Sequence, residues 1–542
     1  MRQSVSARRP HARRLLYGAV PVALWLVMAA YTVWWSTENP LPDGFQNEYL
    51  HVGNAYDLWG ALLDLDVWHL RWYMYTGYWP WGFYAVPWPF LAALGPGRLA
   101  LVAGNLVHLG VLLWGAWRLG RSLGAPLAPV LLVLCPGVFG SLVRFEPNLA
   151  TIAWTLAGVA FLVDSAGLRH RSRVVGWGVC LGLGLMFDRL TVGFFLVPAV
   201  VPLLWGADRK RWVNLAWGGG AALFLTAAYY REFFMRHTDE LLGQAPVGEI
   251  DSAGTLTVNG GELPALYYPL TLLDSQAGLV IGGLMVVGLV VAGVGLGRGL
   301  RRDGMTALRT DPSAPLLAAV VPAVLLFTVI AKKQVFYTLP ILGPLAVLAA
   351  ARGRWSWVGV VAGVYGFLGL GMGWTLPAVP AGPVMPLAWV APRHSLAQPP
   401  SHERFPFDEA HRLLTQNGAP DAVLVMSEDQ RLFEGYLALA VREGLPDTAV
   451  RGVVTDPNGT YELMAEQDAF VWVGPAGGTW PGTADIEREL RSDHYDPAEL
   501  PPVAEAVVEA SGSFEEAGRL PAGSGVEMVV FHRVADPVDQ MR

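Results

Sequence analysis

The sequence predicts a polytopic α-helical membrane protein of about 11 spans, followed by a soluble α/β domain on the outer face. Three observations predict it. Of 542 residues, 53% are hydrophobic and only 15% charged, with 22 Trp and a mean hydropathy of +0.37. Apolar runs long enough to cross a bilayer recur through residue 375. The loops between them alternate between basic ones and ones with few net positive charges, apart from 331–336, which carries Lys332 and Lys333. The formal charge of −7 averages two unlike parts, Arg-rich loops and an acidic tail after about residue 395, so it identifies no partner. No nucleic-acid footprint is present. Cys135 and Cys180 both lie inside apolar runs, which leaves neither a disulfide framework nor a Cys-based zinc site outside the membrane.

The N-terminus reads Arg8-Arg9-Pro10-His11-Ala12-Arg13-Arg14 and then stays apolar to about Trp35. That run exceeds a signal-peptide core and no small-x-small cleavage site follows, so it reads as an anchoring first helix with its basic flank in the cytoplasm. Spans are predicted near 15–35, 98–117, 125–143, 147–165, 172–187, 189–206, 211–230, 279–297, 315–331, 337–351 and 355–375. With the N-terminus inside, the loops at 118–121, 169–173, 208–211, 298–309 and 352–354 are cytoplasmic, and each is basic. This assignment holds only if Gly77 to Gly95 does not cross. That stretch is apolar but contains several prolines and is crowded with Trp, Tyr and Phe, which favour the interface. It is read as a helix lying in the outer leaflet, and with Tyr56 to Tyr75 it makes up a first external loop over 36–97. An ordinary second helix, giving twelve spans, is the alternative.

Domain boundaries follow from composition. A multi-span domain is predicted over 1–375, a Pro-rich linker over 376–400 and an extracytoplasmic α/β domain over 401–542. In the last, β-branched runs at 422–426, 449–454, 469–473 and 526–532 alternate with helical stretches at 433–443 and 504–510. No Gly-rich phosphate loop follows any of these strands. Acceptor binding, or packing over a membrane site, is its expected role.

Ionisable residues gather on the predicted outer face. Asn47 and Glu48 follow the first span; Arg144, Glu146 and Asn148 occupy a short turn; Asp188 and Arg189 cap another; Lys332, Lys333 and Tyr337 open a late span. Any one of these alone reads as a helix-end anchor. Together, a carboxylate beside several cations is what a site needs to hold a lipid phosphate and to deprotonate a hydroxyl.

The order of these features resembles the integral-membrane GT-C glycosyltransferases, in particular the protein-mannosyltransferase and lipid A aminoarabinose-transferase branch. Asn47-Glu48 stands where members carry an acidic pair, with His51 where many have Tyr. Trp79-Pro80-Trp81-Gly82 resembles their Pro-Pro-aromatic signature, with Tyr78 where some have Lys. Arg144-Phe145-Glu146-Pro147-Asn148-Leu149 is similar to a family helix start, and Lys333-x-x-x-Tyr337-x-Leu339-Pro340 is similar to the opening of a late span. The resemblance covers about residues 15 to 375 as an order of elements.

It implies an inverting sugar transfer from a polyprenyl-phosphate donor, with a lipid, glycan or protein acceptor. Glu48 is the implied catalytic base, and Lys333, Tyr337, Arg144 and Arg189 the implied donor-phosphate ligands. Asn47, His51, Tyr78, Glu146, Asn148 and Asp188 are candidates for orienting the acceptor. His51 reads first as an interfacial imidazole and only second as a metal ligand or acceptor-orienting group, and a divalent metal is left open; no other cofactor is implied. Basic cytoplasmic loops and the lack of an organellar signal read as a bacterial inner-membrane protein with an extracytoplasmic C-terminus. A transporter or flippase is a second reading, against which stands the lack of an internal repeat. A non-catalytic scaffold of cell-envelope glycan assembly is a third. Gly293-x-Gly295-x-Gly297 ends an apolar run with no preceding soluble strand, which reads as helix packing. His237-x-Asp239-Glu240 lacks a third spaced metal ligand and reads as a solvated helix.

Overall fold

The computed structural model describes residues 11–38, 48–76, 79–95, 97–188, 191–243, 257–258, 261–262, 267–329, 336–351, 353–374, 407–416, 420, 422–427, 449–452, 469–475, 514–521 and 526–533. The chain divides into two compact units, Met1–Glu38 with Leu58–Pro400, and Asn39–Asp57 with Ser401–Arg542.

The chain opens with α1 (His11–Glu38), followed by α2 (Glu48–Leu63), whose last turns belong to the first unit. Asp66 then starts α3 (Val67–Thr76): its carboxylate accepts the backbone N–H groups of Trp68 at 3.1 Å and His69 at 3.0 Å, satisfying donors that have no partner within the helix. The aromatic stretch after it is not one helix. It forms α4 (Gly82–Ala85) and α5 (Trp88–Leu94), interrupted at Val86 and Pro87, and its full extent, Gly82–Leu94, falls short of the ~20 residues a crossing needs. Phe83 and Tyr84 are buried within the unit.

Next comes α6 (Arg98–Leu123), which ends on Gly124 in the left-handed region, φ 71°, with the Gly124 N–H bonded to the Gly120 carbonyl. The continuous span predicted over 125–143 is broken in two: α7 (Ala128–Val133) and α8 (Pro136–Leu142). Pro136 is the reason. It has no N–H to continue the helix and drives Cys135 to extended backbone, φ −72° and ψ 129°.

The predicted pattern then returns as α9 (Asn148–Asp164), α10 (Arg171–Phe187), α11 (Thr191–Leu204) and α12 (Arg209–Gly243). The last is far longer than the predicted 211–230 and runs on through His237 and Glu240. Arg118 near the end of α6 pairs with Asp164 at the end of α9, with the Arg118 Nε donating at 3.0 Å.

A short hairpin, β1 (Thr257–Val258) and β2 (Gly261–Glu262), precedes α13 (Tyr267–Thr271), which passes into a π-helical turn over Leu272–Gln276. α14 (Leu279–Asp303) and the short α15 (Ala307–Thr310) lead to α16 (Ala314–Val329). The predicted span 337–351 begins later than expected. Pro340 sits in a 3-10 turn over Leu339–Ile341, and α17 (Leu342–Ala350) starts after it. α18 (Trp355–Gly366) closes the unit and ends in a π turn over Phe367–Gly371. Among the described residues, Gly18–Glu38, Arg98–Leu123 and Leu279–Thr310 are long and apolar enough to cross a membrane. The core runs through α6, α9 and α17; every residue of α17 is buried.

The tightest crossing joins α10 to α12. A Cβ on Gly178 would stand 1.9 Å from the Gly218 carbonyl oxygen, and one on Gly218 would stand 2.6 Å from the Val174 oxygen. Small residues let the two backbones meet. Gly178→Ala is therefore expected to separate the helices and to destabilise by about 1–3 kcal/mol, read as a lower midpoint of thermal unfolding in detergent.

In the second unit, α19 (Phe407–Thr415) packs on a five-stranded sheet of β3 (Ala422–Ser427), β4 (Ala449–Gly452), β5 (Ala469–Pro475), β6 (Phe514–Pro521) and β7 (Val526–Arg533). The order is β4-β3-β5-β7-β6, parallel across β4, β3 and β5 and antiparallel beyond. Four of these strands coincide with the predicted runs; β6 does not. It is an edge strand carrying Glu515, Glu516 and Arg519, with a bulge between Glu516 and Gly518, so it lacks the apolar alternation of a buried strand. The predicted helices at 433–443 and 504–510 lie outside the described residues.

Candidate active site

The best-defined constellation lies in the first unit, at the turn between α8 and α9. Arg144, Glu146 and Asn148 are all buried there, 2%, 3% and 7% exposed. Asn148 begins α9, and its Nδ2 donates to the Glu146 carboxylate at 2.5 Å. The turn is held from outside by α6. Asn105, itself 1% exposed, directs its Nδ2 at the carbonyls of Ser141 at 3.3 Å, Leu142 at 3.1 Å and Arg144 at 2.7 Å. Arg98 Nη2 donates to the Val143 carbonyl at 3.1 Å, and its guanidinium lies 4.8 Å from the Trp35 ring centre. Four successive carbonyls, 141 to 144, thus accept hydrogen bonds from two side chains of α6. A helix C-terminus leaves such carbonyls without partners of their own.

An aromatic chain leads from this turn to Asp188. Phe145 stacks on Phe83 at 4.7 Å, Phe83 lies 6.4 Å from His108, and His108 packs edge-on against Phe187 at 4.9 Å. Trp154 Nε1 donates to His108 Nδ1 at 3.3 Å. Asp188 follows Phe187 directly and caps α10, its N–H bonded to the Gly184 carbonyl at 3.1 Å. Gly82 permits the approach, since a Cβ there would meet the Met186 carbonyl oxygen at 2.7 Å.

Tyr337 stands at a second focus. It stacks on Phe327 at 5.6 Å, and Phe327 in turn meets Tyr268 at 6.3 Å. The neighbouring Thr338 Oγ1 accepts from Gln276 Nε2 at 2.9 Å, both side chains fully buried. Burial, with the Tyr337 hydroxyl beside it, holds the Tyr267 phenol above its usual range. The short α8 connects the two foci: a Cβ on Gly137 would lie 2.6 Å from Leu339 and 3.1 Å from the Gln276 carbonyl oxygen, while Arg144 follows the other end of the helix, about 10 Å along the axis.

Asp274 lies in the same π-helical turn and was not singled out by the sequence. It has no hydrogen-bond or ion-pair partner among the described residues, and burial pushes its carboxyl up to about 6. A carboxyl raised in the folded state favours folding below its unfolded value near 4, and that contribution is lost as pH rises through about 6. Asp274→Asn is expected to be the more stable protein at pH 8 and to lose this advantage at pH 4. Its size is about 1 kcal/mol once solvent screening of a half-buried group is allowed for, and thermal unfolding at the two pH values measures it.

In the second unit, Glu48 and His51 begin α2, 1% and 3% exposed, one turn apart on the same helix face. Asn47, Tyr78, Arg189, Lys332 and Lys333 lie outside the described residues. Among the described residues no three His, Cys, Asp or Glu side chains gather as a metal site. Asn105 and His108 were also missed by the sequence reading, although the signal was present: two polar residues three apart inside an apolar run are costly unless they are used.

No protein-family model and no curated protein sequence matches the chain. Solved structures do. The crystal structure of ArnT from Cupriavidus metallidurans bound to undecaprenyl phosphate is similar with a TM-score of 0.55 at 15% identity, covering 98% of this chain and 99% of ArnT. The apo ArnT structure from the same organism gives 0.54 at 14% identity, over 97% and 98%. At such identity the shared property is the architecture, and it extends over nearly the whole of both chains: this protein has the fold of ArnT.

Proposed function

We propose that the protein transfers a sugar from a polyprenyl-phosphate donor to an acceptor hydroxyl at the outer face of a bacterial cytoplasmic membrane. The observation that carries the reading is the fold, shared end to end with an enzyme whose crystal structure holds undecaprenyl phosphate. Supporting it are a carboxylate, Glu48, buried at a helix start, and a buried guanidinium, Arg144, on a turn braced by two side chains of α6. In this reading about 11 spans place the N-terminus in the cytoplasm. Residues 401–542 then lie outside, with acceptor binding as their role.

The chemistry follows from charge. The acceptor oxygen attacks the anomeric carbon while Glu48 takes its proton. The bond from that carbon to the lipid phosphate breaks, and the phosphate leaves with the electron pair, giving inversion. Lys333, with Arg144 or Arg189, neutralises the departing phosphate, and Tyr337 donates a hydrogen bond to it. Asn47, His51, Tyr78, Glu146, Asn148 and Asp188 orient the acceptor.

The test is direct: full-length protein in liposomes is given a panel of labelled polyprenyl-phosphate sugars together with membrane extract as acceptor. Label transferred from one of them, with release of free polyprenyl phosphate, is the expected result. Protein that transfers from none of the panel, while thermal unfolding shows it folded, defeats the reading.

A further inference from the structure

Away from the turn at Arg144, an open groove of about 960 Å³ lies between α3 and the stretch of α12 around Arg231. Its size is that of an organic-ligand site. Three aromatic side chains from α3 line it, Trp68, Trp72 and Tyr75, and Trp68 and Trp72 are 78% and 56% exposed. Around them stand Arg71, Arg231, Asp66 and Glu232, with His69 between.

The charges decide what fits. Two guanidiniums and two carboxylates line the groove, so it is electrically balanced, and a phosphate would gain little from it. An apolar partner would strip water from four ionic groups that are only loosely paired: Arg231 and Glu232 are 4.0 Å apart, and the Arg71 guanidinium sits 5.9 Å from the Trp68 ring centre. What remains is a neutral ligand with an apolar face to lie on an aromatic ring and an edge rich in both donors and acceptors. A pyranose has that form: its C–H face packs on indole, while its hydroxyls bond the planar guanidinium and carboxylate groups. Asp66 is partly committed, because one of its oxygens already caps α3.

From this geometry we infer that the groove between α3 and α12 binds carbohydrate and serves as the acceptor subsite, holding sugar units next to the hydroxyl that receives the transferred residue. The acceptor role rests on the proposed transfer reaction; the carbohydrate site does not. α3 fits the placement. Leu65 and Val67, 77% and 69% exposed, together with Trp68 give it the apolar surface of a helix lying at a membrane interface, where a lipid-borne glycan presents its sugars.

The test uses full-length protein in liposomes and photoreactive probes that share one alkyl diazirine chain but end in a disaccharide, a phosphate or a plain alcohol. The disaccharide probe is expected to label peptides containing Trp72 and Arg231. Trp72→Ala or Arg231→Gln should lower that labelling by roughly tenfold with thermal unfolding unchanged. Competition by free disaccharide identifies a soluble glycan as the source, and competition by an alkyl glycoside alone identifies a lipid-linked one; both uphold the site. Equal labelling by the phosphate probe overturns it in favour of an anionic headgroup. Equal labelling by the alcohol probe, or labelling unaffected by both substitutions, overturns it in favour of bare lipid contact. The same variants should raise the acceptor KM about tenfold and leave the donor KM unchanged. Disaccharide labelling with an unchanged acceptor KM removes the acceptor role, and labelling without transfer from any donor leaves the carbohydrate site standing while the proposed reaction falls.

Discussion

Glu48→Gln is expected to lower sugar transfer by about 10²–10⁴-fold while the protein stays folded. The substitution keeps the shape of the side chain and removes its ability to take a proton. Glu48 is 1% exposed at the first turn of α2, so the neutral amide must occupy the same enclosed space, and thermal unfolding should shift little. The kinetic signature separates the possible roles. A base acting in the transition state lowers kcat and kcat/KM together, whereas a residue that only binds substrate raises KM with kcat intact. Transfer assayed with expression-matched wild type and mutant decides the matter. Equal transfer by both would take Glu48 out of the chemistry, whereas no transfer by either would favour the scaffold reading, in which this fold is kept without catalysis.

Much of the fold was legible because bilayer insertion writes itself into composition. The boundaries of α9, α10, α11 and α16 lie within a few residues of the predicted spans. The failures share a cause: a hydropathy window sees apolarity but not backbone geometry. The run over 125–143 is apolar throughout, yet Pro136 splits it. Pro340 delays α17 in the same way. α12 outruns its predicted end because the polar sequence after Tyr230 stays helical once it has left the apolar segment.

The candidate site was legible as a set of charges and illegible as a scaffold. Arg144, Glu146 and Asn148 were named from their short turn, and they are gathered and buried there. Asn105 and Arg98 were not named, because their importance lies in which carbonyls they reach some forty residues away, and spacing along one strand of sequence does not encode that. Asp274 was overlooked for a related reason. A lone acid before an apolar run looks like an ordinary helix-end anchor until its burial is known.

The bracing of the Arg144 turn gives the second large expected effect. In Asn105→Ala, the carbonyls of Ser141, Leu142 and Arg144 lose their shared donor inside the protein, at a cost of about 2–4 kcal/mol. Asn105→Asp is expected to be worse, about 3–5 kcal/mol, because carboxylate oxygens then face three carbonyl oxygens in a site that is 1% exposed. That order, with aspartate below alanine although it is closer in shape to asparagine, would not arise if the residue merely filled space. It is read from the midpoints of thermal unfolding in one detergent. The functional consequence follows from position. If Arg144 neutralises the lipid phosphate, loosening its carbonyl in Asn105→Ala should raise the donor KM and leave the acceptor KM alone, the reverse of the pattern expected for Trp72→Ala. Two substitutions on two helices would then report separately on the two substrates, one through a turn that orients a cation and the other through an aromatic groove at the membrane surface.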